Sequence, residues 1–330
     1  MPIATHIRKS LLRTCLVAII AILASATAPT TGVPEPTATA GTRNERDPRW
    51  LPTRGDVSEA VLHYQANGAR RRLAYLLLPG WYGPRRHPPL PLVIAPHGRG
   101  AGPFLELTRA WGALPAEGGF AVVFPEGQGR VLAHHSWGYP GQIDDLARMP
   151  QIVRRAVPWL RVDRRRIYAV GGSMGGQEAL LLAARQPRLL AGAVAFDAPA
   201  DMALRYEQFG ELENGEFLRT LMRREVGATP DEDAAAYAER SPLHFAQTLA
   251  RSGVPLQLWW STRDELVVEQ QDDSGRLYSE LKRLHPCARV MQVVGTWAHT
   301  AELRWDRRLP DALHFLGLLP RQRQPQAERS

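Results

Sequence analysis

The sequence contains almost no cysteine. Of its 330 residues only Cys15 and Cys287 are cysteines. Because Cys15 falls in a segment that we expect to be removed, Cys287 has no partner, and an intramolecular disulfide is excluded. Stability must then come from a hydrophobic core, and a chain of this length with 44% hydrophobic residues can form one large domain. We interpret Cys287 as a small residue near the start of a strand, not as a reactive thiol.

Sequence motifs for several other chemistries are also absent. No group of His, Cys or carboxylate residues has the spacing of metal ligands, and there is no G-x-x-x-x-G-K phosphate loop or long internal repeat. The sequence therefore predicts no metal and no cofactor. The formal net charge of +8 would suit a nucleic-acid partner, but the arginines are scattered in short clusters with no nucleic-acid-binding motif around them. We interpret them as an arginine-rich surface and expect no nucleic-acid partner.

The N-terminal apolar run is shorter than the roughly 20 residues that span a bilayer comfortably. Basic residues precede the run at 16–23, and Ala24-Ser25-Ala26 follows it, which is typical of a cleavable signal peptide over residues 1–26. An uncleaved anchor is the alternative. Residues 27–55 are rich in Pro, Thr and Ala and predict a disordered linker, and we expect a disordered tail at 321–330. The expected location is secreted or cell-surface, with no stable membrane span after cleavage.

Apolar runs of strand length alternate with helical stretches across residues 56–320. Two runs flank Asn67-Gly68, which predicts a β-hairpin. The later runs are continuous, as expected for parallel strands with helices on both faces. We therefore predict an α/β fold with a mostly parallel central sheet of about eight strands. The predicted strands lie within 59–65, 71–78, 92–95, 120–124, 166–170, 191–196, 255–260 and 288–294, and the main predicted helices within 144–160, 175–185 and 272–284.

One connection, residues 201–248, is too long for an ordinary loop. It contains helical pieces within 216–224 and 231–240. We interpret it as a small helical cap inserted over the active site. The alternative is a set of extra helices packed at the edge of the sheet.

A G-x-S-x-G pattern occurs at Gly171-Gly172-Ser173-Met174-Gly175. It follows an apolar run at 167–170 and precedes a helical run at 177–185, which is the strand-turn-helix context of the α/β-hydrolase nucleophile. A sharp turn of this kind exposes the serine hydroxyl at a helix N-terminus, and its glycines let chain segments approach closely. Ser173 is therefore the predicted nucleophile; a plain glycine-rich turn is the alternative.

A serine hydroxyl needs a base, which in this fold follows the acid in the chain. Among the downstream histidines, His299 lies just past the last predicted strand, where a loop can return it to Ser173. His285 precedes that strand and would lie at its wrong end. His314 falls in a terminal amphipathic helix, and His244 falls in the insertion. His299 is therefore the predicted base.

The acid must follow the strand at 255–260, and Asp264 does so. Glu265 is the runner-up. The role of the acid would be to orient the imidazole and to stabilise the charged form of the imidazole.

The oxyanion of an acyl-transfer reaction needs backbone N–H donors. One is expected from Met174, and the other from Gly98 or Arg99 in the loop after the strand at 92–95. His97 in that loop is interpreted as a structural imidazole. Trp137 and Tyr139 are tentative substrate-pocket residues, and packing anchors are the alternative.

These residues resemble a known family. The stretch Asp163-Arg164-Arg165-Arg166-Ile167-Tyr168 leading into Gly-Gly-Ser-Met-Gly-Gly resembles the catalytic domain of prolyl oligopeptidase-type hydrolases. Ser241-Pro242 and Val254-Pro255-Leu256, leading to Asp264 and Val267, are similar to its acid region. The His97-Gly98 loop also resembles secreted polyhydroxybutyrate depolymerase-like and feruloyl esterase-like esterases. The resemblance covers roughly residues 60–317 and implies an α/β-hydrolase fold with a Ser-His-Asp triad, but says less about the substrate.

Peptidases of that family carry a propeller domain before the hydrolase domain, and 330 residues leave no room for one. We therefore expect an esterase that acts on a small-molecule or polymeric ester through an acyl-enzyme. A serine peptidase of the prolyl oligopeptidase type and a noncatalytic hydrolase-fold binding protein are the alternatives. The oligomeric state is left open.

Overall fold

One sheet of nine strands organises the residues that the computed structural model describes, which are 48–51, 56–104 and 110–320. The strands are Arg49–Trp50 (β1), Val57–Gln65 (β2), Arg71–Pro79 (β3), Leu90–Ile94 (β4), Ala121–Pro125 (β5), Val162–Gly172 (β6), Gly192–Phe196 (β7), Leu256–Ser261 (β8) and Val290–Gly295 (β9). They lie in the order β1-β2-β3-β5-β4-β6-β7-β8-β9. In this sheet order, the pairs β1-β2, β2-β3 and β3-β5 are antiparallel, and every following pair, from β5-β4 to β8-β9, is parallel. The predicted, mostly parallel sheet is confirmed, with one strand more than expected.

The short strand β1 lies in the stretch that was predicted to be a disordered linker. It pairs with β2, and the Trp50 ring stacks on Trp159 with 5.6 Å between ring centroids. Strand pairing and aromatic packing offset the entropy of ordering this segment. The linker prediction is therefore wrong at these two residues. The predicted signal peptide, the linker residues 27–47 and 52–55, and the predicted tail lie outside the described residues.

The predicted hairpin between β2 and β3 is confirmed, but its turn is longer than two residues. Gln65 pairs with Arg71, so residues 66–70 connect the strands. Of Asn67 and Gly68, only Gly68 has a positive φ, at 75°. The N–H of Asn67 instead donates to the Asp145 carboxylate at 3.0 Å, which fixes the turn to a helix behind it.

Helices cover both faces of the sheet, as predicted. They are Leu114–Gly118 (α1), Pro140–Ala156 (α2), Met174–Arg185 (α3), Met202–Gln208 (α4), Gly215–Val226 (α5), Ala234–Ala238 (α6), Ala246–Arg251 (α7), Ser274–Leu284 (α8) and Leu309–Phe315 (α9). Along β4, Leu92 and Ile94 pack into one hydrophobic cluster with α2, α3 and α8, and Val93 packs into a second cluster with α1 and α9. Within the described part of the chain, no helix has both the length and the apolar character needed to cross a membrane.

Residues 201–248, the predicted insertion, contain α4 to α6, the first residues of α7 and two short 3-10 segments. Its own hydrophobic cluster combines Met202, Phe209, Met222 and Tyr237 with two residues from outside it, Trp137 and Met174. Because Met174 is the first residue of α3, the insertion packs at the end of that helix where Ser173 lies.

Glu225, near the end of α5, joins the insertion to the loop after β5. Its carboxylate accepts hydrogen bonds from the backbone N–H groups of Arg130, Val131 and Leu132, the last two at 2.9 Å. The Arg240 guanidinium lies 3.9 Å away, and the Glu225 side chain is fully buried. Loss of the carboxylate would leave three N–H groups without their acceptor.

We expect Glu225→Ala to lower the free energy of unfolding by about 2–4 kcal/mol, because three N–H groups lose their buried acceptor and Arg240 loses its ion-pair partner. Urea denaturation measures the change. Glu216→Ala on the same helix is the matched control, since Glu216 is exposed and, among the described residues, forms an ion pair with Arg219 alone, at 3.1 Å. Its effect should stay below about 0.5 kcal/mol. Equal losses in the two variants would contradict the role of Glu225.

Candidate active site

The candidate residues gather at one edge of the sheet. Ser173 follows β6 directly, Asp264 follows β8, and His299 follows β9. The carboxyl ends of adjacent parallel strands lie at the same edge, which is where open α/β sheets bind ligands. The topology therefore brings together residues that lie 126 positions apart in the sequence, from 173 to 299.

Ser173 lies in the sharp strand-to-helix turn that the sequence predicts. Its backbone has φ 56° and ψ −129°, a region that a residue with a side chain rarely adopts. The N–H of Ser173 donates to the carbonyl oxygen of Phe196 at 2.8 Å, which fixes the turn to the end of β7. The strained conformation holds the serine at the N-terminus of α3.

Two glycines make this turn sterically possible. A Cβ atom on Gly171 would lie 2.5 Å from the carbonyl oxygen of Gly175, and a Cβ on Gly175 would overlap the carbonyl oxygen of Pro96. The backbone of the turn therefore lies directly against the loop after β4. That loop carries Gly98 and Arg99, the predicted oxyanion donors.

His299 and Asp264 form a direct pair. The Nδ1 atom of His299 lies 2.7 Å from Oδ2 of Asp264, and Oδ1 accepts the backbone N–H groups of Leu266 and Val267 at 2.8 and 2.9 Å. Burial alone would raise the pKa of Asp264, but the hydrogen bond and charge of His299, together with the two N–H groups, hold that pKa below its usual value. An ionised Asp264 thus fixes the orientation of the imidazole.

The other candidates for base and acid lie elsewhere. The carboxylate of Glu265 accepts the backbone N–H of His299 at 3.3 Å, so it supports the loop and not the ring. His285 lies at the C-terminus of α8, before β9. His314 Nδ1 lies 3.3 Å from the carbonyl oxygen of Leu319, and His244 packs edge-on against its neighbouring phenylalanine. Of these candidates, the structure pairs only His299 with Asp264.

His97 ties the loop after β4 together, in the structural role that the sequence suggested. Its Nδ1 lies 2.7 Å from the carbonyl oxygen of Gly98, and its Nε2 accepts the N–H of Gly127 at 3.0 Å. Burial lowers the pKa of His97 to about 4, so the ring is neutral at pH 7 and Nδ1 carries the proton. Both ring nitrogens are therefore used within the loop.

Ser173 and His299 line one cavity of about 350 Å³, together with Gly98 and Arg99. The insertion contributes Arg205, Leu212 and Leu218 to the lining.

The two tentative pocket residues, Trp137 and Tyr139, are not among the residues that line this cavity. Trp137 is buried, and its N–H donates to the sulfur of Met174 at 3.3 Å; Arg240 lies over the Tyr139 ring. Both residues pack against residues of the insertion, as the packing alternative expects, and their assignment to the substrate pocket stays a prediction.

Sequence reasoning missed Asp197, which follows β7 directly. Its carboxylate accepts the indole N–H of Trp297 at 3.0 Å, the N–H of Thr300 at 2.8 Å and the N–H of Ser261 at 3.1 Å. It therefore holds the His299 loop on both sides of His299. A useful signal was present in the sequence, since an aspartate directly after a buried strand falls at the same edge as Ser173.

Asp197, Asp264 and His299 each place one possible metal-ligand atom within 4.8 Å of the others. Both carboxylates, however, are already aligned on N–H donors. Those hydrogen bonds account for the orientation of both side chains.

The pKa of Asp197 identifies a pH-dependent contribution to stability. Burial raises it to about 6, the charge of His299 opposes that rise, and the charge of Asp264 adds to it. The unfolded-state value is near 3.9, so between pH 4 and 6 the folded state binds this proton more tightly than the unfolded state. The associated stability is fully present below about pH 4 and is lost as the pH rises through 6.

We therefore expect wild type to lose about 1–3 kcal/mol of unfolding free energy relative to Asp197→Asn between pH 4 and 7, since asparagine does not titrate. Urea denaturation of both proteins at four pH values gives the difference. A difference that stays constant or grows in favour of wild type over this range would contradict a raised pKa of Asp197.

Solved structures share this fold at low sequence identity. S-formylglutathione hydrolase (FrmB) from Staphylococcus aureus matches with a TM-score of 0.59 and 16% identity, over 80% of this chain and 100% of that chain. An S-formylglutathione hydrolase from Agrobacterium tumefaciens matches with a TM-score of 0.59 and 14% identity, over 82% of this chain and 98% of that chain. The acylaminoacyl peptidase of Pyrococcus horikoshii matches with a TM-score of 0.57 and 17% identity over 74% of this chain. The match covers only 38% of that protein. The fold is that of the α/β-hydrolases.

Among curated protein sequences, none matches the chain with significance. The model of the prolyl oligopeptidase family matches residues 114–299, which is more than half of the chain and includes Ser173, Asp264 and His299. The chain therefore belongs to the prolyl oligopeptidase family of serine hydrolases (Peptidase_S9).

Proposed function

We propose that this protein cleaves carboxylic esters through an acyl-enzyme on Ser173, with His299 as general base and Asp264 as its acid partner. One observation carries the proposal: a serine in a strained strand-to-helix turn and a histidine held at 2.7 Å by a buried aspartate line the same cavity. Membership of a serine hydrolase family is consistent with it.

In the first step the Ser173 hydroxyl attacks the acyl carbon, and its proton passes to Nε2 of His299. Because Nδ1–H of His299 donates to Asp264, Nε2 is the nitrogen that is free to accept a proton. The ionised Asp264 then stabilises the imidazolium as it forms. This is the role that the lowered pKa of Asp264 supports.

The oxyanion of the tetrahedral intermediate is bound by backbone N–H groups. Met174 is the first residue of α3, so its N–H has no acceptor within the helix. The second donor comes from Gly98 or Arg99, whose loop lies against the turn. Collapse of the intermediate releases the alcohol with a proton from His299, and water then cleaves the acyl-enzyme by the same route.

Two observations favour esters over peptides. The charged residues among the described cavity lining are arginines, with no carboxylate to bind the free ammonium group of a peptide N-terminus. The S-formylglutathione hydrolases among the structural neighbours match over 98–100% of their length, whereas the acylaminoacyl peptidase matches over 38% of its own. Peptide cleavage is the second candidate, because the family model is that of the prolyl oligopeptidases.

We expect a fluorophosphonate probe to label wild type but not Ser173→Ala, since only the serine oxygen can displace fluoride.

Asp264→Asn should lower kcat for p-nitrophenyl butyrate by about 10³–10⁴-fold, because an amide no longer holds the imidazole in the required tautomer. Glu265→Gln, four residues past the end of β8, is the matched control and should lose less than about 10-fold.

Equal labelling of wild type and Ser173→Ala would overturn the nucleophile. A larger loss in Glu265→Gln than in Asp264→Asn would overturn the acid. Absence of both labelling and hydrolysis in a folded wild-type protein would favour the noncatalytic alternative. Matched p-nitrophenyl esters and peptide p-nitroanilides then separate the ester from the peptide candidate through the ratio of kcat/KM.

We also propose export through the N-terminal segment. Basic residues, a short apolar run and Ala24-Ser25-Ala26 support cleavage near residue 26. Mass spectrometry of the mature protein from an expressing host should find an N-terminus just past that site. An intact N-terminus in the exported or membrane fraction would favour the uncleaved anchor instead.

A further inference from the structure

The cavity beside Ser173 is unusual in its charge. Three of the described residues that line it are arginines, Arg99, Arg205 and Arg304, and none is an aspartate or glutamate. Desolvating a cation beside the nucleophile costs free energy unless a negative group compensates the charge, and a neutral ester supplies no such group. The partners of each arginine therefore decide what this cavity binds.

Arg205 comes from α4 of the insertion, and only 7% of its surface is exposed. Its guanidinium lies 4.3 Å from the centroid of the Phe209 ring, and its hydrogen bond to Gln208 is long, at 3.5 Å. Asp264 and Asp273 attract its charge from a distance. Neither acid forms an ion pair with it, and no other described carboxylate does so.

Arg99 lines the same cavity from the loop after β4. Its side chain is half-buried and makes no hydrogen bond or ion pair with the residues that the structure describes. Burial lowers the pKa of Arg99, and burial followed by the charge of Arg99 lowers the pKa of His135. Arg99 and Arg205 line the same cavity, and the charge of Arg99 disfavours the charged form of Arg205.

Arg304 differs from these two arginines. It forms a two-point ion pair with Asp306, with both N–O distances at 2.9 Å. Its charge is therefore already compensated. Among the described lining residues, Arg99 and Arg205 are the arginines without a carboxylate partner in the described part of the chain.

We propose that Arg99 and Arg205 bind a carboxylate of the substrate, so that the ester cleaved at Ser173 carries a negative charge close to its scissile carbonyl. A carboxylate offers two oxygens to the planar fork of a guanidinium and would relieve the repulsion between the two arginines. This inference rests on the proposed ester hydrolysis at Ser173. Half-esters of short dicarboxylic acids and acyl esters of hydroxy acids are the two forms of such a substrate.

The remaining lining suits a short apolar spacer between the carboxylate and the ester. Leu212 and Leu218 of the insertion and Val267 and Leu303 of the sheet edge surround the cavity, which holds about 350 Å³. That volume lies at the lower end of the range for small-molecule sites. A small acid fits this volume.

The experiment compares matched substrates that differ only in charge. Mono-p-nitrophenyl succinate against p-nitrophenyl methyl succinate tests a carboxylate on the acyl side. 4-Acetoxybenzoate against its methyl ester tests a carboxylate on the alcohol side. In wild type we expect kcat/KM for the charged member of at least one pair to exceed that for the neutral member by about 10-fold or more.

Arg205→Met and Arg99→Met should each reduce this charged-to-neutral ratio by about 10- to 100-fold, because each removes one charged hydrogen-bonding fork. Arg205→Lys keeps the charge in case the buried methionine variant unfolds, and should retain an intermediate ratio. Arg283→Met is the matched control. Arg283 lies on α8 and pairs with Glu280, so its loss removes one positive charge without touching the cavity, and the ratio should change less than about 2-fold.

The two proposals fail in different ways. Labelling of Ser173 with equal hydrolysis of charged and neutral esters overturns the carboxylate site and leaves the hydrolase intact. Absence of labelling and hydrolysis overturns the hydrolase, and the anion site is then decided by isothermal titration of glutarate into Ser173→Ala protein. We expect binding there that is lost in Ser173→Ala/Arg205→Met; equal binding in both proteins, or none in either, overturns the inference.

Discussion

The close contact between the turn at Ser173 and the loop after β4 determines the geometry of the whole site. Gly175 lies so near the carbonyl oxygen of Pro96 that no side chain fits between them. This contact places the N–H of Met174 beside the loop that carries Gly98 and Arg99, and His97 stabilises that loop through both ring nitrogens. Backbone donors held this rigidly need no reorganisation when negative charge develops. The same contact brings the Arg99 side chain to the cavity wall.

Two aspartates near His299 have opposite properties because their surroundings differ. Asp264 contacts the imidazole at 2.7 Å and has a lowered pKa, so it is ionised and orients the ring. Asp197 is buried, its pKa is raised to about 6, and it supports the loop of His299 through Trp297 and Thr300. Neighbouring acids with separated pKa values commonly divide their roles in this way. Asp264 orients the imidazole ring of His299, and Asp197 supports the loop that carries His299.

The sequence predicted most of what the sheet determines. The strands, the turn at Ser173 and the positions of Asp264 and His299 follow from local patterns, since each of these residues lies just past an apolar run. The roles of Trp137 and Asp197 did not follow, because they depend on contacts between distant segments. Trp137 was a tentative substrate-pocket residue, but it packs in a cluster with Met202, Phe209, Met222 and Tyr237 of the insertion. Such packing leaves no periodic signal in the sequence.

The sheet and the insertion contribute different parts of the cavity. The sheet positions Ser173 and His299, and the insertion supplies other lining residues, among them Arg205. The proposed reacting groups, Ser173, Asp264 and His299, follow strands of the sheet, and the strands fix their geometry. Arg205 lies on α4, whose first turn is capped by Asp201 and whose approach is held by Asp273 through the N–H groups of Ala200 and Asp201 at 2.7 and 2.8 Å. At the far end of α5, Glu225 fixes the insertion to the loop after β5. Buried carboxylates thus anchor the start of α4 and the end of α5, and neither anchor involves Ser173, Asp264 or His299. Under the proposed function, a change of side chain in the insertion can therefore alter the substrate charge that the cavity accepts without disturbing the pair of His299 and Asp264.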